Sequence, residues 1–193
     1  MPSLTKLLLR TAFILTIGAQ LTGCLTAAVG GAAVGGTAAA DRRTTGIFVE
    51  DENVEIKALQ QIRKTLDKEA HVNITSYNLN VLMTGEVPSQ QARTEAENIV
   101  KAIENVRNIT NEISVGPKSS IGDRSNDTYL TSKVKAKFVA EKNFAANSVK
   151  IVTEDSVVYL LGIVSDHEAR LATEIARTTE GVAKVVKVFE YTK

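Results

Sequence analysis

Val81-Leu82-Met83-Thr84-Gly85-Glu86-Val87 returns later in the chain as Val158-Tyr159-Leu160-Leu161-Gly162-Ile163-Val164. Each stretch is an apolar run with one glycine, and runs of this length bounded by turn residues read as strands. The correspondence continues on both sides. Val72-Asn73-Ile74 answers Val149-Lys150-Ile151, Ser89 answers Ser165, and Ile99 answers Ile175. Asn105-Val106-Arg107-Asn108-Ile109 answers Gly181-Val182-Ala183-Lys184-Val185. The chain is an internal repeat, with one unit from about Asn53 to Val115 and the other from about Asp127 to Tyr191. The offset between them falls from 77 at Val87/Val164 to 76 at Ser89/Ser165, so Pro88 is the extra residue of the first unit.

Each unit reads as helix, strand, strand, helix, strand. Leu59, Ile62 and Leu66 recur at helical spacing in the first unit. Tyr77-Asn78-Leu79-Asn80 and Glu154-Asp155-Ser156 are the hairpin turns. Ser89 and Ser165 (or Asp166) are N-caps of the second helices, which run to about Glu104 and Glu180. The last strands are Asn108–Val115 and Lys184–Tyr191, and Gly116–Gly122 is a turn-rich linker. The expected class is α+β: two tandem units, each a three-stranded sheet packed on two helices. A unit of about 60 residues has a marginal core when alone, so the two have reason to lean on each other.

The chain starts with a different signal. Lys6 and Arg10 introduce the apolar run Leu7, Leu8, Leu9, Ala12, Phe13, Ile14, Leu15 and Ile17, followed by Leu21-Thr22-Gly23-Cys24. A basic start, a short apolar middle and small residues at the cut describe a secretory signal, and the run is too short for a spanning helix. Cys24 after small residues resembles the lipobox of bacterial lipoproteins. That resemblance implies an acylated thiol, removal of residues 1–23 and an outer-membrane destination, because Leu25 rather than aspartate follows the cysteine. Several acyl chains on one residue anchor without further help. Small residues dominate from Leu25 to Gly46, and such a stretch cannot bury enough surface to order itself. Residues 24–46 are therefore expected to form a flexible Ala/Gly tether, 47–116 the first unit, 117–126 the linker and 127–193 the second unit.

Composition excludes several classes of function. The chain has 23 Lys+Arg against 22 Asp+Glu, and losing Lys6 and Arg10 with the signal leaves it near neutral. This argues against nucleic acid as a partner. Cys24 is the only cysteine, so once acylated it leaves no disulfide, thiol nucleophile or thiolate metal site. His71 and His167 fall at non-corresponding places in the two units. No catalytic or metal-binding spacing surrounds either of them. Glu168 beside His167 reads as first-turn charge at a helix start. No enzyme activity, cofactor or metal is expected.

The αββαβ repeat, with Gly85 and Gly162 closing the second strand of each hairpin, resembles the BON domain (bacterial OsmY and nodulation). Two such units behind a lipobox and an Ala/Gly tether are similar to the dual-BON-domain outer-membrane lipoproteins of gammaproteobacteria. The resemblance implies a non-enzymatic protein on the periplasmic face of the outer membrane. It implies a role in envelope integrity and at the division site, and a link to outer-membrane protein assembly and the regulation of peptidoglycan splitting. It also implies that the second BON domain binds anionic phospholipid, phosphatidylglycerol-like, through its first helix.

The residues of that helix, expected from Thr128 to about Lys142, bear on this separately. Leu130, Val134 and Phe138 make a core stripe. Tyr129, Ser132, Ala136, Val139 and Ala140 make a second stripe on the other side, flanked by Lys133 and Lys135, with Lys137 and Lys142 nearby. A tyrosine with lysines beside it suits an anionic bilayer surface. The first helix of unit one shows Lys57, Gln60, Gln61 and Lys64 on its far side, with no aromatic, and Val54 as the position answering Tyr129. Two readings remain open: the second stripe contacts lipid, or Tyr129 and Val139 pack against unit one. A protein-interaction scaffold on envelope machinery is the alternative function.

Overall fold

The computed structural model describes residues 41–193 apart from 67, 143 and 193. The expected signal segment 1–23, the lipidation residue Cys24 and the Ala/Gly stretch up to 40 lie outside the described residues.

The first domain runs α1 (Thr45–Thr65), β1 (His71–Tyr77), β2 (Asn80–Val87), α2 (Gln90–Lys101), β3 (Asn108–Asn111) and β4 (Ser114–Val115). The second runs α3 (Ile121–Ala140), a 3-10 turn (Ala146–Ser148), β5 (Val149–Glu154), β6 (Val157–Val164), α4 (Asp166–Arg177) and β7 (Lys184–Tyr191). In each domain the first two strands pair antiparallel and the last strand returns parallel to the middle one. Ser89 and Ser165 cap α2 and α4, accepting from the N–H of Ala92 and Glu168. Both domains belong to one compact unit.

Three expectations need correction. The tether does not extend to Gly46: Asp41–Arg43 are bound to the folded body, and Thr44 caps α1 by accepting from Ile47 N–H. The helix of the second domain starts at Ile121 rather than Thr128, within the expected linker, because Ser120 and Asp123 form a reciprocal capping box. The last strand of the first domain is split. Between its halves Glu112 N–H bonds Met83 O at 2.9 Å, and Ile113 turns into the core.

The two hairpin turns share a device that neither turn sequence announces. Asn78 and Leu79 have φ of 53° and 65°, and Asp155 and Ser156 have φ of 49° and 60°. That left-handed backbone matches strand twist but is unfavourable for side chains other than glycine. A buried helix aspartate holds each turn. Asp51 of α1 accepts from the N–H of Asn78 (2.9 Å) and Leu79 (2.8 Å), and Asp127 of α3 accepts from Asp155 (3.0 Å) and Ser156 (2.8 Å). Gly85 and Gly162 are fixed by close approach of the neighbouring backbone. A Cβ at Gly85 would sit 2.0 Å from His71 O, and one at Gly162 2.5 Å from Ser148 O.

Each sheet buries one face under its own helices. Val54, Ala58, Ile62, Ile74, Val81 and Met83 build the first core, and Val134, Phe138, Val158, Leu160 and Ala172 the second. Side chains alternate along a strand, so Leu82, Tyr159 and Leu161 point the other way. These join Tyr77 in a third buried cluster between the domains. The second sheet supplies most of its apolar lining, with Val152, Val157, Ile163, Val186 and Val188 packed against it. The first sheet answers largely with amides and hydroxyls. Asn73 and Thr84 donate to Glu154 at 2.8 and 3.0 Å, while Asn78 and Asn80 donate to Glu190. Burial in this layer pushes the Tyr159 phenol up to about 12, with the carboxylates of Glu112, Glu154 and Asp155 adding to the rise.

Candidate functional site

The outer side of α3 is the candidate surface. Its inner side, Leu130, Val134 and Phe138, is buried as the spacing predicts. The sheets, not α3, carry the packing between domains, so Tyr129 and Val139 stay 61% and 69% exposed. Among the described residues nothing covers them, which removes the reading in which they pack on the first domain. Ser132, Lys135, Ala136 and Ala140 are exposed along the same side, and Lys133 is half-buried. The earlier start of the helix adds a residue that sequence reasoning placed in the linker: Ile121, 81% exposed. At 3.6 residues per turn, Ile121, Ser125, Tyr129, Ser132, Ala136 and Val139 follow one line down the helix.

The hydroxyls on this side are satisfied within the helix. Ser125 donates to Ile121 O (2.8 Å), Thr128 to Arg124 O (2.9 Å) and Ser132 to Thr128 O (3.0 Å). Such back-bonding leaves little unmet polarity on the surface. The lysines divide into two groups. Lys133 lies 5.5 Å from the Tyr129 ring and donates to the carbonyl and carboxylate of Glu180 at 3.0 and 3.3 Å. Lys137 donates to Thr178 O at 3.2 Å. Both complement the negative end of α4. Lys135 and Lys142 make no ion pair among the described residues and remain available to an external anion.

The first domain is a weaker negative control than the sequence implied. Because α1 begins at Thr45, its surface includes Phe48 and Val49 in addition to Ile56, all about half-exposed. Val54 is buried, and the matched aspartates Asp51 and Asp127 align Tyr129 with Asn53 instead.

The entry segment binds both domains. Arg42 forms a paired contact with Glu168 (2.8 and 2.9 Å) and donates to Ile163 O. Arg43 is sandwiched between Asp41 and Asp51, with its guanidinium 4.0 Å from the Tyr77 ring. Hydrogen bonding from Arg42 draws the Glu168 carboxyl down to about 2. Burial opposes the charge on Arg43, but the two aspartates outweigh it and keep it firmly protonated. His167 contributes nothing to these contacts, and Glu168 is the N3 member of the α4 capping box, as first-turn charge should be. Among the described residues, no helix is long and apolar enough to cross a membrane.

The BON domain family matches residues 50–117 and 126–193. The chain is 39% identical over 173 residues to outer membrane lipoprotein DolP of Haemophilus influenzae, covering 89% of this chain and 90% of the relative. It is 37% identical over 153 residues to a 21 kDa hemolysin of Actinobacillus pleuropneumoniae, covering 78% and 79%. It is 29% identical over 145 residues to osmotically-inducible protein Y of Escherichia coli, covering 72% of each. The matched family is not a catalytic one. With two domain copies, and relatives at this identity and coverage, the chain belongs to the BON domain family as a tandem, outer-membrane-associated member.

Proposed function

We propose that this protein is a non-enzymatic outer-membrane lipoprotein, anchored at Cys24 on the periplasmic face, whose second BON domain reads anionic phospholipid through α3. One observation carries the proposal: the exposed line from Ile121 through Tyr129 to Val139, with its hydroxyls bonded internally and Lys135 and Lys142 uncommitted. An apolar helix side flanked by cations suits the headgroup boundary of an anionic leaflet. A role in envelope integrity at the division site follows from the family resemblance. The test uses the chain carrying Cys24→Ser, which removes the anchor, and vesicles with or without phosphatidylglycerol at two salt concentrations. Salt-sensitive binding to the anionic vesicles alone is expected. Equal binding to both kinds, or none, overturns the proposal.

A second reading rests on α1. Phe48, Val49 and Ile56 offer an apolar surface on the first domain, where Leu59 and Leu66 stand at the positions of Lys135 and Lys142, which suits a protein partner such as the outer-membrane assembly machinery. Photocrosslinkers at Val49 and Ile56 should then capture a protein in intact membranes, and a clean blank at both removes this reading.

A further inference from the structure

His71, Glu86 and Glu154 converge where the two sheets meet. One ligand-capable atom from each lies within 4.8 Å of the others. His71 and Glu86 are cross-strand partners on β1 and β2, with His71 Nδ1 3.2 Å from Glu86 Oε2. Glu154 comes from the other domain, at the end of β5.

The charge balance here is unusual. Both carboxylates are buried, yet among the described residues neither forms an ion pair with a lysine or arginine. Buried carboxylates are normally paired or metal-bound. Arg124 lines the adjoining cleft with His71, Asn73, Thr131 and Glu154, but its guanidinium donates to Ser119 O. The protein instead holds one oxygen of each carboxylate. Glu154 Oε2 accepts from Asn73 and Thr84, and Glu86 Oε2 accepts from Ser119 N–H at 3.2 Å. No hydrogen bond from the described residues engages either Oε1, or His71 Nε2. One imidazole and two carboxylates converging from two domains, backed by an outer layer of hydrogen bonds, describe a metal site.

We propose that His71, Glu86 and Glu154 bind a divalent transition-metal ion, Zn2+ foremost, as a staple between the two BON domains. One imidazole and two carboxylates suit Zn2+ and leave a position for water. The ion would offset the two negative charges and join β1 and β2 to β5. No motif advertises it, because the ligands come from three strands.

The chain extracted in detergent and stripped with a chelator is titrated with ZnCl2 and, separately, MgCl2. Calorimetry and thermal unfolding are the readouts. One saturable Zn2+ site that raises the unfolding temperature is expected, with no such effect from Mg2+. Asn73→Ala, which removes only an outer support, should weaken Zn2+ binding about 10- to 100-fold, and His167→Ala should leave it unchanged. Because His71→Ala also alters the domain interface, Co2+ supplies a direct readout. Visible bands of a low-coordinate Co2+ site should appear in the parent chain and vanish in His71→Ala and Glu154→Gln. Absence of saturable Zn2+ binding overturns the proposal. So does Zn2+ binding, or a Co2+ spectrum, retained in both of those variants.

Discussion

Helices α1 and α3 occupy the same place in two copies of one fold, yet they solve different problems on their outer sides. Inward they agree: each buries an apolar stripe and reaches past it with an aspartate to hold a left-handed turn. Outward they diverge. On α3 the side chains at the aligned line are Ser125, Tyr129, Ser132, Ala136 and Val139, where α1 carries Val49, Asn53, Ile56, Gln60 and Arg63. Only α3 pairs a continuous low-polarity line with uncommitted lysines. The fold fixes what must match between the copies, and the solvent side is free to specialise.

The largest expected effects lie on the side where the helices agree. Asp51→Ala strips two turn N–H groups and the Ser76 hydroxyl, which donates to it at 2.6 Å, and also leaves Arg43 short of a buried counter-charge, a loss of about 3–5 kcal/mol. Asp127→Ala strips two N–H groups alone and should cost about 2–3 kcal/mol. Urea unfolding of the two variants measures both. A smaller effect at Asp51 than at Asp127 would mean that Arg43 and the Ser76 hydroxyl are not bound as the geometry indicates.

Much of this is legible in the amino-acid sequence. The offset repeat, the glycines, both serine caps and the placement of Lys184–Tyr191 all follow from local pattern, because each rests on short-range chemistry. Although the expectation that the units lean on each other rests on core size, the apolar runs around Leu82 and Tyr159 carry a further signal of covered sheet faces, since one-sided strands alternate. They could not say by what, because sheet-on-sheet packing is a long-range choice. The Asp51 and Asp127 clamps were hidden for the same reason: their partners lie 27 to 29 residues away. Two errors at the candidate surface share one cause. Placing the helix starts too late hid Ile121 on α3 and Phe48 and Val49 on α1, although Ser120 with Asp123 was a readable capping pair.

The outward difference is tested next. Tyr129→Glu places a carboxylate at an anionic surface and removes apolar contact, a loss of about 2 kcal/mol or roughly thirtyfold in vesicle affinity. Asn53→Glu, the aligned change on α1, should leave binding within about twofold. Equal losses at the two positions would make the copies equivalent and end the assignment to α3. Lys135→Gln sharpens the electrostatic part. It should reduce binding by about 1 kcal/mol at low salt, with the difference shrinking as salt screens the surface.

The smallest effect concerns how the entry segment joins the copies. Arg42 holds Glu168 of the second domain while Arg43 holds Asp51 of the first. A carboxyl drawn from 4.5 to about 2, by Arg42 first and by the Ser165 N–H and hydroxyl after it, would correspond to about 3 kcal/mol in a sealed site. Arg42 is 37% exposed, however, and water screening reduces the contact to about 1 kcal/mol. Because the folded-state value is the lower one, this stability is present in full above the ordinary carboxyl range. It is lost as the pH falls from about 4.5 towards about 2. Arg42→Gln should therefore lower the urea midpoint slightly at about pH 6 and make almost no difference near the acid end of that window. A deficit that stays constant through the acid range would assign the role of Arg42 to its bond with Ile163 O, which does not titrate, and would detach the clamp from the Glu168 charge.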